Sequence, residues 1–163
     1  MTLAVEHAKS VVERALPGAS ISVDGANLVV PAGELRRACQ ALKLSPDLQL
    51  DHVSNLTAVD YPPDPAQTGT PGGAGRIDMI YHLCSMAKQH GPVGLKVALP
   101  RAHPRVPSLV PLYRGAEFQE REAYDLFGVI FDGHPDLRRI LMWDGFEGHP
   151  MRKDYVVEDQ DAP

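Results

Sequence analysis

The sequence predicts a two-layer α+β domain, a mixed, largely antiparallel sheet packed on helices, with an extended C-terminal arm. Three observations predict it. Apolar residues recur at helical spacing in three separate stretches, and two strand-like runs alternate with period two about a Gly-Pro turn. The last 35 residues, after Gly128, show little periodicity. The expected division is a core at 1–128, with a mobile Pro/Gly loop at 61–76, and an arm at 129–163. A length of 163 residues suits one domain.

Ala4, Ala8, Val11, Val12 and Ala15 form the first helical stripe, which Pro17-Gly18 ends. Ser20–Val23 and Ala26–Val30 read as two short strands joined at Asp24-Gly25, a strong hairpin signal. After Pro31 a second helix carries Leu35, Ala38, Cys39 and Leu42 on one stripe, and Leu56–Asp60 reads as a buried strand. Residues 61–76 hold four prolines and four glycines, which makes them a loop. No GxGxxG or Walker pattern supports a phosphate-binding role there. Ile77, Met79, Tyr81 and Leu83 share one strand face, and Val93, Leu95, Val97 and Leu99 share another, with a join expected at His90-Gly91-Pro92. Pro100, Pro104, Pro107 and Pro111 keep the next stretch extended. A third helix is expected from Gly115 to Phe127, with Gly128 at a left-handed cap.

The net charge of −5 offers no basic footprint for nucleic acid or an anionic membrane. Cys39 and Cys84 stand alone, so the chain is expected to hold neither zinc nor an iron–sulfur cluster by itself. Lone thiols fit a reducing compartment. No stretch approaches the roughly 20 apolar residues of a membrane span, so membrane contact is expected only through partners.

The segment from Glu120 to Tyr155 is different in kind. Its 36 residues contain six of the chain's ten aromatics, interleaved with eight acidic and five basic residues. Dense charge together with large apolar groups is the mixture found at interfaces anchored by aromatics and arginine. Glu117, Arg121 and Asp125 follow at i, i+4 and i+8, which lets two carboxylates bracket Arg121. Glu122 falls on a stripe with Phe118 and Leu126 and requires a partner if buried. Arg138 and Arg139 are the candidate partners, clamping the arm onto the helix.

Gly133-His134-Pro135 and Gly148-His149-Pro150 form an imperfect repeat, each turn followed by a pair of cations, Arg138-Arg139 and Arg152-Lys153. His134 and His149, with Glu120, Glu122, Asp125 and Asp136, are also a candidate metal site, but no HExxH or comparable spacing supports it. Acid–base work by Glu122 or Asp125 lacks a visible nucleophile with a neighbouring base. Turn and salt-bridge roles are the expectation for all of them.

Glu120-Arg121-Glu122, Tyr124 to Gly128, Gly133 to Ile140 and Gly148 to Tyr155 closely resemble the signature of the 30-kDa, C-type subunit family of respiratory complex I, NADH:quinone oxidoreductase. Leu56 to Tyr61, Tyr81-His82-Leu83, Leu95-Lys96-Val97 and Val106-Pro107-Ser108 match the family's strand landmarks in order. The chain departs from the family at Gly115 to Gln119, where an Asn-Trp is common, and at Val156, which replaces a proline.

The resemblance implies a non-catalytic, peripheral-arm subunit of a quinone-reducing module. It would pack against the 49-kDa-type subunit and near the terminal iron–sulfur cluster subunit, on the cytoplasmic side of the bacterial inner membrane. Iron–sulfur clusters, FMN and quinone would belong to partner subunits, and none to this chain. Arg138, Arg139, Arg152 and Lys153 would pair with acids on the partner while Trp143 and Phe146 fill its pockets. Related complexes with ferredoxin, deazaflavin or hydrogenase chemistry share such a subunit and remain the alternative, with a standalone acid/base or metal enzyme behind them.

Overall fold

A computed structural model describes residues 2–64, 66 and 73–156, with side chains from Val5 onward. Helix α1 (Thr2–Ala15) leads into a hairpin of β1 (Ser22–Asp24) and β2 (Asn27–Val29). A 3-10 turn at Ala32–Glu34 opens α2 (Leu35–Leu44). Strands β3 (His52–Tyr61), β4 (Arg76–Ser85) and β5 (His90–Pro100) follow, then β6 (Arg105–Pro107), α3 (Ala116–Phe127) and β7 (Ile130–Asp132).

Five strands form one sheet in the order β1-β2-β5-β4-β3. All neighbours are antiparallel except β2 and β5, which run parallel from Asn27↔Gly94 to Val29↔Lys96. The expected mixed, largely antiparallel sheet is the one observed. Its inner face carries Leu56 and Ala58, then Ile77, Met79, Tyr81 and Leu83, then Val93, Leu95, Val97 and Leu99, all buried. Helix α1 adds Ala8 and Val12 to the core under that face, and α2 adds Leu35, Ala38, Cys39 and Leu42. Each fully buried Leu or Val stabilises the fold by about 1.5–3 kcal/mol.

Three boundaries differ from expectation for local reasons. The buried strand expected at 56–60 is a ten-residue edge strand, irregular between Val53 and Asn55, where Leu56 N donates to Gln119 Oε1 of α3 at 2.6 Å. The β4–β5 turn lies at 86–89, before His90 rather than around it, because Asp51 Oδ1 accepts Met86 N at 2.8 Å and Ser85 Oγ accepts Lys88 N at 3.0 Å. The 61–76 loop is bounded by a strand pair, Tyr61↔Arg76, and its tip at 67–72 lies outside the described residues.

The Pro-rich stretch contains β6, which pairs in parallel with β7, Val106 opposite Phe131. Val129 and Phe131 are buried in the core, so the chain contributes core side chains just past Gly128 before it leaves the sheet. Helix α3 ends as expected at a left-handed Gly128, φ 73°, whose N–H donates to Tyr124 O at 2.9 Å. From Gly133 onward the arm runs back over α3.

Candidate functional site

Helix α3 is the element on which the arm is fastened, and Asp125 is its central pin. This carboxylate is fully buried (0% exposed) and accepts three successive backbone N–H groups at Oδ2: Ile140 at 3.0 Å, Leu141 at 2.7 Å and Met142 at 2.9 Å. Arg139 Nη1 donates to Oδ1 at 2.6 Å. Consecutive amides of this kind make an anion-binding concavity, here filled by a side chain of the same protein. Burial pushes the Asp125 carboxyl up, but the amides and Arg139 outweigh it and hold it below its ordinary value.

Arg139 does more than pair with Asp125. Its Nη2 donates to the carbonyls of Phe146 at 2.9 Å and Gly148 at 3.0 Å, so one guanidinium ties both limbs of the arm to α3. Arg121, also buried, donates to the carbonyls of Arg138 at 3.2 Å and Arg139 at 2.9 Å, with the Asp136 carboxylate 4.0 Å away. Among the described residues no ion pair joins Arg121 to Glu117 or Asp125, so the expected bracketing does not form.

The repeated Gly-His-Pro turns are two hooks on this helix. Gly133 and Gly148 both take left-handed φ values, 81° and 85°. His134 Nδ1 accepts Asp136 N, so the protonated Nε2 donates to Glu117 O at 3.0 Å. His149 Nδ1 lies 3.1 Å from Asp125 O, a carbonyl that can only accept, so here Nδ1 carries the proton. Eight helical residues separate the two hooks, about 12 Å along the axis. Burial, with the nearby Arg152 and Arg139, lowers the His149 pKa and favours the neutral ring.

A second fastening joins the arm's end to the sheet. Arg101, just after β5, grips Asp60 of β3 through Nε at 2.6 Å and Nη2 at 3.0 Å, and Asp154 of the arm through Nη1 at 3.0 Å and Nη2 at 2.5 Å. Lys153 N donates to Asp60 Oδ2 at 2.8 Å, and Arg152 Nε to Phe127 O at 2.7 Å. Asp60, Arg101 and Asp154 were not singled out from sequence. The available signal was Asp60, an acid at the end of the Leu56–Asp60 run that reads as a buried strand.

Several expectations are corrected by this geometry. Glu122 is exposed, and Asp125, not Glu122, receives the arm, because the buried face of α3 runs through Ala116, Glu120, Ala123 and Phe127 rather than Phe118 and Leu126. Glu120 is buried beneath the helix, with Ser108 Oγ and Leu109 N both donating at 2.6 Å. Of the four arm cations, Arg139 and Arg152 turn inward, Arg138 is exposed beside Asp136, and Lys153 is exposed above the Tyr61 ring. The acids and histidines of the candidate metal site are dispersed among these separate contacts. Among the described residues no three His, Cys, Asp or Glu side chains come together as a metal cluster.

With Arg139 and Arg152 turned in to α3, the arm leaves large apolar side chains exposed. Trp143 is 50% exposed and Leu141 56%; Ile140, Met151 and, on α3, Phe118 are exposed as well. Trp143 is braced edge-on against Phe146, their centroids 4.9 Å apart, and Phe146 stacks towards Tyr155 at 6.0 Å. Large apolar groups left exposed on a hydrogen-bonded frame are suited to docking against another protein.

A family model described as the respiratory-chain NADH dehydrogenase 30-kDa subunit matches residues 28–161. The C-type subunit of the NADH-quinone oxidoreductase of Moorella thermoacetica is 46% identical over 85% of this chain and 84% of its own length. That of Saccharopolyspora erythraea is 40% identical over 89% of this chain but only 57% of its own length, so the chain spans little more than half of that relative. Among solved structures, a chain of the membrane-bound sulfane sulfur reductase, an archaeal respiratory membrane complex, matches with TM-score 0.68 and 28% identity over 93% of this chain and 84% of that one. A trypsin-resistant fragment of Nqo5 matches with TM-score 0.52 and 28% identity, over 83% of this chain and 98% of the fragment. The chain belongs to the 30-kDa subunit family of the respiratory-chain NADH dehydrogenase.

Proposed function

We propose that this protein is a non-catalytic bracing subunit in the peripheral arm of a proton-translocating NADH:quinone oxidoreductase. In this reading its α+β core is the rigid body, and the pinned arm offers Ile140, Leu141 and Trp143 to a 49-kDa-type subunit and to the terminal iron–sulfur cluster subunit. The observation that carries the proposal is the arm's construction. Arg139, Arg152 and Asp154 are taken up by contacts to α3 and to Arg101, while Trp143 and Leu141, half-exposed, are left outward.

The chain itself is proposed to bind no iron–sulfur cluster, FMN or quinone. In support, Cys39 is buried with its thiol pKa pushed up by burial, and Cys84 lies on a different element. The site of action is proposed to be the cytoplasmic face of a bacterial inner membrane, reached through partners. Among the described residues no helix is long and apolar enough to cross a membrane.

Co-expression of the tagged chain with its partner subunits tests the proposal. The expected result is copurification with cluster-bearing subunits and no turnover by the isolated chain. NADH or quinone turnover by the chain alone would overturn it. The match to the archaeal sulfane sulfur reductase chain favours one second reading, the same brace in a complex with a different electron-input module. The identity of the copurified electron-input subunit separates the two.

A further inference from the structure

Glu120 reaches from α3 into the core, where it is fully buried. Ser108 Oγ donates to Oε2 and Leu109 N to Oε1, both at 2.6 Å. No ion pair reaches this carboxyl among the described residues. Arg36 of α2 acts on it electrostatically, but its guanidinium donates to the carbonyls of Ser108, at 2.8 Å through Nη2, and Asp132. From β4, the Tyr81 hydroxyl is held protonated, first by its burial and then by the Glu120 charge, and the buried Cys39 thiol of α2 is kept neutral by its burial. The Tyr81 hydroxyl is buried and has no hydrogen-bond partner among the described residues.

An interior carboxylate with two donors and no counter-ion is poorly compensated, and such groups neutralise rather than stay charged. We infer that Glu120 is a proton-operated latch, whose protonation sets how firmly the segment from Ser108 to Tyr113 is held against α3. In the charged form both donors point at the carboxylate. In the protonated form a solvent proton adds to Oε2, which then donates to Ser108 Oγ as the serine hydroxyl rotates away. Leu109 N stays on Oε1. Burial pushes the carboxyl up to about 7, against the opposing pull of Ser108, Leu109 and Arg36.

The sign follows from that direction. The folded chain holds this proton more tightly than the unfolded chain, whose carboxyl keeps its ordinary value of 4.5. The stabilising contribution is therefore complete below that value and is lost as pH rises through about 7. The inference is independent of what the arm docks against, because Glu120 and the arm contacts lie on different faces of α3.

Carboxyl-carbon NMR of the intact chain, with amide exchange at Leu109 and Val110 corrected for intrinsic rates, tests this. We expect a Glu120 midpoint near 7. We also expect segment opening to increase by tens of fold from about pH 5 to about pH 8. In Glu120→Gln the opening becomes independent of pH across that range. Ser108→Ala removes a donor to the charged form, so its midpoint moves higher. A wild-type midpoint below about 5, or an unchanged pH dependence in Glu120→Gln, overturns the inference. Should the Gln variant not fold, an unmoved midpoint in Ser108→Ala overturns it equally.

Discussion

Asp125 and Arg139 stand 14 residues apart in sequence, and their 2.6 Å contact is the point about which the arm is organised. Arg139 supplies one oxygen of the carboxylate with a charged donor, and the next three amides supply the other. Asp125→Asn keeps the size but sets an NH2 group among donors with nothing to accept it. We expect a loss of about 2–4 kcal/mol in urea unfolding at neutral pH. The arm should also become sensitive to protease. The losses from Asp125→Asn and Arg139→Met should fall short of additivity when combined, since each removes the same contact. Strict additivity would show that the pair is not coupled.

Arg101 predicts an asymmetry between its two carboxylates. Asp60 is buried, so Arg101→Met strands a charge in the interior and should cost about 3–5 kcal/mol. Asp154 is largely exposed, and Asp154→Asn should cost under about 1 kcal/mol while releasing the arm's end. Denaturant midpoints for the two variants give the comparison directly. Equal losses would mean that the arm contact, not the buried pair, carries the stability.

How legible these contacts were depends on what each face of an element buries. Helix α2 was read correctly because its buried stripe, Leu35, Ala38, Cys39 and Leu42, is apolar throughout. Helix α3 buries Glu120, Arg121 and Asp125 and exposes Phe118, so the rule that apolar residues face inward selected Glu122 and the wrong face. The antiparallel β4–β5 pair was visible in its alternation. The parallel β2–β5 pairing, which depends on a crossover through α2, β3 and β4, left no local trace. The Arg101 fastening spans 41 and 53 residues, beyond any local pattern. The family signature located the arm, but only the fold showed that its histidines hook α3.

Gly128 is required twice over. Its φ of 73° disfavours a side chain, and a Cβ there would meet His149 Nε2 at 2.4 Å and Arg152 Nη2 at 2.9 Å. Gly128→Ala is expected to destabilise the fold by about 1–3 kcal/mol. It should also push the second hook off α3. The readout is the His149 imidazole resonance, which should move towards that of a solvated ring. An unshifted resonance would show that the arm adapts without unhooking.

Trp143 and Leu141 should separate folding from assembly. Both are at least half exposed, so Trp143→Ala and Leu141→Ala are expected to change the isolated chain's stability by no more than about 1 kcal/mol. If these exposed side chains form the docking face, Trp143→Ala should weaken co-assembly by about 2 kcal/mol or more, roughly thirtyfold. Quantified copurification with partner subunits measures it. Wild-type assembly by the double variant would remove them from the interface.

Acid should release the arm through the same carboxylates that fasten it. For Asp60 and Asp125, burial raises the pKa, but Arg101 with the Lys153 amide, and Arg139 with three amides, bring each below its ordinary value of 3.8. The folded chain thus holds these protons less tightly than the unfolded chain, and their stabilising contribution is present above that value. It is lost as pH falls through the lower folded values, a direction opposite to that of Glu120. Wild-type protein should keep its arm protease-resistant down to about pH 4 and lose resistance below it. In Asp125→Asn the acid step should shrink, because one of the two titrating pins is absent. Superimposable acid profiles, followed by proteolysis and far-ultraviolet circular dichroism, would mean that neither pin controls the transition.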